Sequence, residues 1–150
     1  MSLRYVIKQS IAPSLAETEL PAIVSPDQVV HFWHSVVASD TDFEAEKERL
    51  VVLVMSTKSK VRAYHIVSVG TVNETCAHPR EILRPVIMLA GYSMILTHNH
   101  PSGDPSPSQA DRRLTSLIRE AADIFQIVLQ DHVIIGRDGL HYSFREAGLL

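Results

Sequence analysis

The sequence predicts a single α/β domain. Apolar residues recur at helical spacing in three stretches, and short runs rich in Val, Ile and Leu lie between them. The chain has 150 residues, of which 45% are hydrophobic and 21% are charged. These values are ordinary for a soluble globular protein, and a chain of this length can bury a core.

The first predicted helix follows an N-terminal extension, residues 1–24. Within the extension, residues 4–11 are compatible with an edge strand. Residues 25–28 read Ser-Pro-Asp-Gln, which predicts a capping box with proline at the first helical position. Apolar residues then recur at helical spacing over 29–37, so we expect a core-facing helix.

Two strands and a second helix are predicted next. Residues 50–55 are a continuous apolar run typical of a buried strand, and residues 61–69 form the return strand after a turn. The second helix is expected to run from Pro79 to about Ala90. Pro85 lies inside it and is expected to kink or interrupt it, because proline lacks a backbone N–H.

The remaining elements surround a polar loop. A buried strand is expected to end near Thr97, and a helix from about Pro107 to Phe125 is expected to follow, with Ser106 as its N-cap and Gln109 as the capping-box partner. A strand over 127–135, a hairpin turn at 136–139 and a short final strand complete the pattern.

His98 and His100 are the first candidate metal ligands. Side chains two residues apart in a strand point to the same face, so the two imidazoles are aimed together while Asn99 faces away. Ser108 and Asp111 are three residues apart on the predicted helix and share a face. A helix that starts beside the strand end brings Asp111 back to the two histidines.

Two imidazoles and one carboxylate form a ligand set suited to zinc, with a position left for water. Water at such a site has a pKa near 7, so hydroxide is available at neutral pH. Ser108 lies one turn before Asp111, where it can hydrogen-bond the water or a developing oxyanion. Each part has an ordinary structural explanation by itself, since strand histidines are often only satisfied polar groups. The complete set favours a hydrolase site.

The spacing His98-x-His100, Ser108 and Asp111 matches the signature of the JAMM (MPN+) metalloproteases. The surrounding sequence resembles the RadC-like branch of that family over about residues 25–150. The resemblance rests on the segments Gly-Thr-Val-Asn-Glu at 70–74, His-Pro-Arg-Glu at 78–81, His-Asn-His-Pro-Ser-Gly-Asp at 98–104 and Asp-His at 131–132.

The resemblance implies a cytidine-deaminase-like (JAB/MPN) fold, in which helices sandwich a mixed β-sheet, with one Zn²⁺ per chain. It also implies a general base, a glutamate just before the first buried strand and eight residues ahead of an Asn or Asp. Glu48 fits this offset, although Ser56 stands at the far end, and Glu46 is the alternative base. The family pattern does not use His132 as a ligand, so we expect a supporting role for it.

Composition and charge limit the classes of partner and the compartments that we expect for this protein. Net charge is −3 and no cluster of Lys and Arg stands out, which argues against a large nucleic-acid footprint. The single Cys76 excludes an intrachain disulfide and fits a reducing compartment. No apolar run approaches the length of a membrane span, and the N-terminus lacks a signal-peptide pattern, so a cytoplasmic location is expected.

Three classes of function remain open. The first is a zinc metallopeptidase or isopeptidase that acts on a peptide or protein. The second is a RadC-like DNA-repair or DNA-processing factor. Residues 1–24 are too few for the helix-hairpin-helix module that precedes the metal domain in RadC-like proteins, so DNA involvement is expected to be weaker here. The third is a non-catalytic MPN-type interaction module. A base deaminase is disfavoured because the Pro-Cys-x-x-Cys ligands are absent.

Overall fold

Residues 21–70 and 77–150 are described by a computed structural model. Within them the chain forms three α-helices, one π-helical turn and five strands. In chain order these are α1 (Pro26–Phe32), the π-helical turn (Trp33–Val37), β1 (Glu48–Met55), β2 (Val61–Gly70), α2 (Pro79–Met88), β3 (Ser93–Asn99), α3 (Gln109–Ile124), β4 (Val128–Ile135) and β5 (His141–Ser143). The edge strand predicted at 4–11 and most of the loop predicted at 70–77 lie outside the described residues.

The five strands form one mixed sheet in the order β2-β1-β3-β4-β5. β1 is antiparallel to both β2 and β3, whereas β3 and β4 are parallel. Parallel neighbours need a crossover connection, and α3 supplies it between β3 and β4. The predicted α/β class and mixed sheet are therefore confirmed.

Helices cover both faces of the sheet, as the predicted sandwich requires. Alternate residues of β1 enter two separate cores, because successive side chains of a strand point to opposite faces. Leu50 and Val52 pack with residues of α2 and α3. Val51 and Leu53 pack with residues of α1 and the π-helical turn. None of the helices in the described ranges is long and apolar enough to cross a membrane.

The start of α1 confirms the first predicted capping box. The Ser25 hydroxyl accepts a hydrogen bond from the Gln28 amide, and the Gln28 side chain accepts one from the Ser25 amide. The helix then widens into the π-helical turn at Trp33, which the apolar spacing did not predict. Such turns occur frequently at functional sites.

The predicted start of the third helix is wrong by two residues. Its N-cap is Ser108, not Ser106, and the helix begins at Gln109 instead of Pro107. Asp111, not Gln109, completes the capping box: the Asp111 carboxylate accepts from the Ser108 amide at 2.7 Å. The Ser106 amide instead donates to the Asp104 carboxylate at 2.9 Å, which keeps this residue in the loop.

Two smaller expectations also need correction. α2 continues through Pro85 without a break, and the Leu89 amide still donates to the Pro85 carbonyl at 3.1 Å. β3 extends to Asn99, two residues beyond the predicted end. This extension carries His98 and Asn99 on regular strand geometry, which fixes the face on which each side chain lies.

Candidate metal centre

Strands β1 and β3 align a glutamate with the histidine pair. His98 lies opposite Leu50 in the antiparallel register. Continuing this register by two residues sets Glu48 across from His100, on the same face of the sheet. The Glu48 Oε1 atom is 3.7 Å from His100 Nε2. The spacing of the sequence alone could not choose this glutamate, whereas the strand pairing brings it to the histidines.

His98, His100 and Asp111 converge as the sequence predicts. The two Nε2 atoms are 3.1 Å apart. Asp111 Oδ1 lies 3.2 Å from His98 Nε2, and Oδ2 lies 3.4 Å from His100 Nε2. The side chain of His98 is fully buried and that of Asp111 is 3% exposed. Three potential ligands thus meet at one buried point, where the end of β3 joins the start of α3.

Glu48 extends this cluster towards solvent. Ligand atoms of Glu48, His98 and His100 all lie within 4.8 Å of one another, so this group could hold a metal ion. The Glu48 side chain is 22% exposed, in contrast to the buried Asp111. Glu46, the alternative base, lies in the exposed turn before β1. The cluster therefore has one buried and one accessible carboxylate.

Asn99 faces away from the histidines, as expected, and fixes the backbone on both sides of Glu48. Its Oδ1 accepts a hydrogen bond from the Arg49 amide at 2.9 Å, and its Nδ2 donates to the Lys47 carbonyl at 3.1 Å. Asn99 is 7% exposed, so these bonds are largely shielded from water. Sequence reasoning did not assign this role, because the partner residues lie about fifty positions away.

The tautomer of His100 follows from the hydrogen-bond partner of its Nδ1 atom. Its Nδ1 lies 2.8 Å from the backbone carbonyl of Asp104, and a carbonyl oxygen can only accept a hydrogen bond. Nδ1 must therefore carry a proton. Nε2 is then the nitrogen that can offer a lone pair towards His98 and Asp111.

A buried chain of hydrogen bonds determines the tautomer of His98 in the same way. The Thr115 hydroxyl donates to the Asp111 carbonyl at 2.6 Å, so its oxygen accepts from His132 Nδ1 at 2.7 Å. His132 Nε2 is then left to accept from His98 Nδ1, at 2.9 Å. His98 Nε2 keeps its lone pair facing the cluster. The chain starts at one candidate ligand and ends on the backbone of another.

His132 is suited to this position because it stays neutral. It is fully buried and stacks on Phe144, with ring centroids 5.0 Å apart. Burial lowers the pKa of His132 well below its ordinary value, since the charged form would lose its hydration. A neutral ring has one donor and one acceptor nitrogen, as the chain from Thr115 to His98 requires.

The charge of Asp111 is stabilised in the cluster. Burial acts to raise the pKa of Asp111, but hydrogen bonds with the rings of His100 and His98 outweigh it and hold the pKa far below its usual range. The same hydrogen bond to Asp111 raises the pKa of His100. Asp111 is therefore an anion at neutral pH.

Ser108 contacts Asp111 and caps α3. Its hydroxyl donates to Asp111 Oδ2 at 2.7 Å and accepts from the Asp111 amide at 3.1 Å. Oδ2 also receives the Ser108 amide, while Oδ1 faces His98. These bonds orient the carboxylate. The oxyanion role predicted for Ser108 stays a prediction.

Comparison with known proteins identifies the family of this chain. A family model of the RadC-like JAB domain matches residues 23–149. The chain is a member of this family. Domains of the JAB class include hydrolases, and the Glu48, His98 and His100 group of this RadC-like JAB domain could bind a metal ion. The resemblance seen in the sequence is thereby confirmed.

Relatives of this RadC-like JAB domain carry uninformative names. A UPF0758 protein of Pelodictyon phaeoclathratiforme is 48% identical over 104 residues, which are 69% of this chain and 46% of the relative. One of Chlorobaculum parvum is 45% identical over 107 residues, or 71% and 48% of the two chains. One of Trichlorobacter lovleyi is 38% identical over 131 residues, or 87% and 54%. The chain therefore spans about half the length of the curated relatives it matches.

Thr115, like Asn99, is a residue of the site whose role the sequence did not predict. It lies four residues after Asp111, so the two share a face of α3. That spacing is the available signal, but a threonine in a helix commonly bonds the carbonyl four residues back without any further role. Its partner His132 lies on β4, and the pairing of β4 with β3 brings His132 to the site.

Proposed function

We propose that this domain is a zinc-dependent hydrolase that cleaves an amide bond of a peptide or protein. His98, His100 and Asp111 would hold the zinc ion, and Glu48 would act as general base. One observation carries the proposal: two carboxylates in different environments meet the same pair of imidazoles. The buried one suits a ligand, and the accessible one suits proton transfer.

The spacing of the donor atoms supports zinc. With zinc about 2.0–2.1 Å from its nitrogen and oxygen ligands, the edges of a tetrahedron are about 3.3 Å long. The two Nε2 atoms are 3.1 Å apart, close to this edge length, and each faces one oxygen of Asp111, Oδ1 at 3.2 Å from His98 and Oδ2 at 3.4 Å from His100. Both histidines also have the partner on the remote nitrogen that zinc-binding histidines usually have. A zinc ion would thus fit this set without large side-chain movements.

The two carboxylates can be given separate roles from their surroundings. Asp111 is ionised, buried and held by four hydrogen bonds or close contacts, which leaves it little freedom to move. Glu48 is 22% exposed and lies 3.7 Å from His100. A general base needs access to water and a position near the group whose proton it takes. These needs favour Glu48.

When bound, zinc would supply Lewis acidity for the amide carbonyl and for an adjacent water. Glu48 accepts a proton from that water as the water oxygen joins the carbonyl carbon. The carbon–nitrogen bond then breaks, and Glu48 passes the proton to the leaving amine. Asn99 holds the backbone on both sides of Glu48 during these transfers. Ser108 is the candidate to support the oxyanion, for which its hydroxyl would turn from Asp111 Oδ2 towards the substrate.

The test separates metal binding from turnover. Glu48→Gln keeps the size of the side chain but removes its basicity, so we expect stoichiometric zinc and a loss of peptide hydrolysis. Asp111→Ala removes a ligand, so we expect loss of the zinc itself. Elemental analysis and a peptide-library cleavage assay on the wild type and both variants give the answer. Stoichiometric zinc in Asp111→Ala, or full turnover in Glu48→Gln, would refute the assignment.

A further inference from the structure

Large apolar side chains are exposed on the outer side of α2 and α3. Of the eleven that are exposed across residues 21–70 and 77–150, five lie on these two helices or directly after α3. They form the α2–α3 surface: Ile87, Met88, Leu117, Ile124 and Phe125. Apolar residues that are exposed singly are normal in soluble proteins, whereas a cluster of them marks a binding surface.

A groove joins the two helices at this surface. Its volume is about 490 Å³, and both α2 residues of the surface line it, together with Ala121 and Phe125. Leu117 lies four residues before Ala121, and Ile124 lies three residues after it. Side chains at these spacings share one face of a helix. The exposed apolar residues of α3 are therefore continuous with the groove.

The charges at the rim of the groove compensate one another. The carboxylate of Glu81 lies 3.0 Å from the Arg84 guanidinium and 3.5 Å from that of Arg80. On α3, the exposed residues Arg113 and Glu120 also have opposite signs. A nucleic acid or an anionic membrane would favour a cluster of cations. A rim with both signs instead lets the surface face a second copy of itself without like-charge repulsion.

The exposed area matches a contact between two copies. The five residues of the α2–α3 surface are 47–81% exposed. At about 200 Å² for a fully exposed residue of this size, they present roughly 500–600 Å². A standard interface buries about 800 Å² on each partner, of which about 56–65% is non-polar. The surface thus supplies the apolar share of one complete interface.

We propose that the α2–α3 surface binds a second copy of this chain, so that the domain forms a symmetric homodimer. In a two-fold contact, each copy offers the same patch to the other. The spacing of Leu117, Ala121 and Ile124 alternates between four and three residues, as in the contact seam of paired helices. With the two α3 helices antiparallel, Leu117 of one copy faces Ile124 of the other. Ala121 then lies beside the two-fold axis, where its small side chain allows close approach.

The proposed contact is separate from the metal centre. Asp111 and Ala121 are ten residues apart on α3, which is about 15 Å at the rise of an α-helix. Dimer formation therefore requires neither zinc nor hydrolysis, and it goes beyond the proposed function.

The oligomeric state of the full chain tests the proposal. One copy has a mass of 16.7 kDa. We expect sedimentation velocity over a wide range of micromolar concentrations to show a shift from this mass to twice its value. A protein that stays at 16.7 kDa at the highest concentration would overturn the proposal.

Matched variants locate the contact. Ile124→Glu changes a residue that is 81% exposed, so the fold should be retained, as circular dichroism can check. Symmetry brings the two new charges together, so the Kd of the dimer should rise at least about tenfold. Leu140→Glu changes an exposed apolar residue between β4 and β5 and should leave this Kd unchanged. A dimer that survives Ile124→Glu, or is lost in Leu140→Glu, would refute the assignment of the surface.

Disulfide trapping supplies a second measurement. Ala121→Cys in a Cys76→Ser background places two thiols beside the axis, so oxidation should link the two copies. Ser116→Cys is the control, because residue 116 is exposed about 140° around α3 from residue 121. Equal linking of both variants would contradict the proposal. A monomer whose Ala121→Cys thiol resists alkylation would identify the occupant as a segment of the same chain, with the same consequence.

Discussion

His132→Phe tests whether the buried hydrogen-bond chain orients His98 for metal binding. Phenylalanine keeps an aromatic ring that can stack on Phe144, but it offers no acceptor to His98 Nδ1. Because His98 is fully buried, its Nδ1–H group would then have no partner. The His98 imidazole must either keep an unpaired Nδ1–H group or move that proton to Nε2. Nε2 is the atom on which we expect the metal ion to bind.

The expected magnitude follows from that alternative. A buried donor without a partner costs about 1–3 kcal/mol. At about 1.4 kcal/mol for each tenfold change in Kd, this corresponds to roughly a 5–150-fold loss of affinity. Loss of groups that orient metal ligands usually weakens binding by about 10–100-fold. We therefore expect His132→Phe to weaken zinc binding by about 10–100-fold.

The assay is a zinc titration against a chromophoric chelator, with folding monitored by circular dichroism. His132→Gln is the matched control, since the Gln amide oxygen can replace the Nε2 acceptor, and its zinc affinity should stay closer to that of the wild type. Thr115→Val supplies a second variant that changes the chain one step further from the metal. If folded His132→Phe bound zinc as tightly as the wild type, the reasoning about the His98 tautomer would be refuted.

Three further predictions concern the supports of the site. Asn99→Ala should retain zinc but lower turnover, because the backbone around Glu48 loses the two hydrogen bonds that the Asn99 side chain makes. Unchanged turnover would contradict this role of Asn99. Ser108→Ala should destabilise the fold by about 1 kcal/mol through loss of the N-cap, as measured by urea unfolding, with Ser106→Ala nearly neutral as the control. Ile118→Ala truncates a buried side chain of α3 and should lower the free energy of unfolding by about 2–5 kcal/mol. A smaller loss would mean that α3 is poorly packed.

Local chemistry made much of the fold predictable. Two signals depend only on residues that are close in sequence: the capping residues before Val29, and the alternation of apolar and polar residues. The structure confirms the elements that these signals predict. The end of the loop before α3 was harder. Ser106 and Ser108 are both plausible caps, and only the position of Asp111 against the histidines decides between them.

The arrangement of the candidate metal ligands was predictable to the extent that these residues are close in sequence. His98 and His100 could be paired from strand periodicity, and Asp111 from the helix that follows. The contacts of Asn99 with the backbone around Glu48, and of His132 with His98, join residues more than thirty positions apart. Such contacts depend on strand order and register, which no local pattern specifies.

The double use of Asp111 couples the candidate metal centre to folding. One oxygen of its carboxylate closes the first turn of α3, and the other turns towards His98. A cation captured by the second oxygen would therefore also tighten the start of the longest helix in the described ranges. The thermal resistance of this domain would then rise and fall with the metal supply of the cell that makes it.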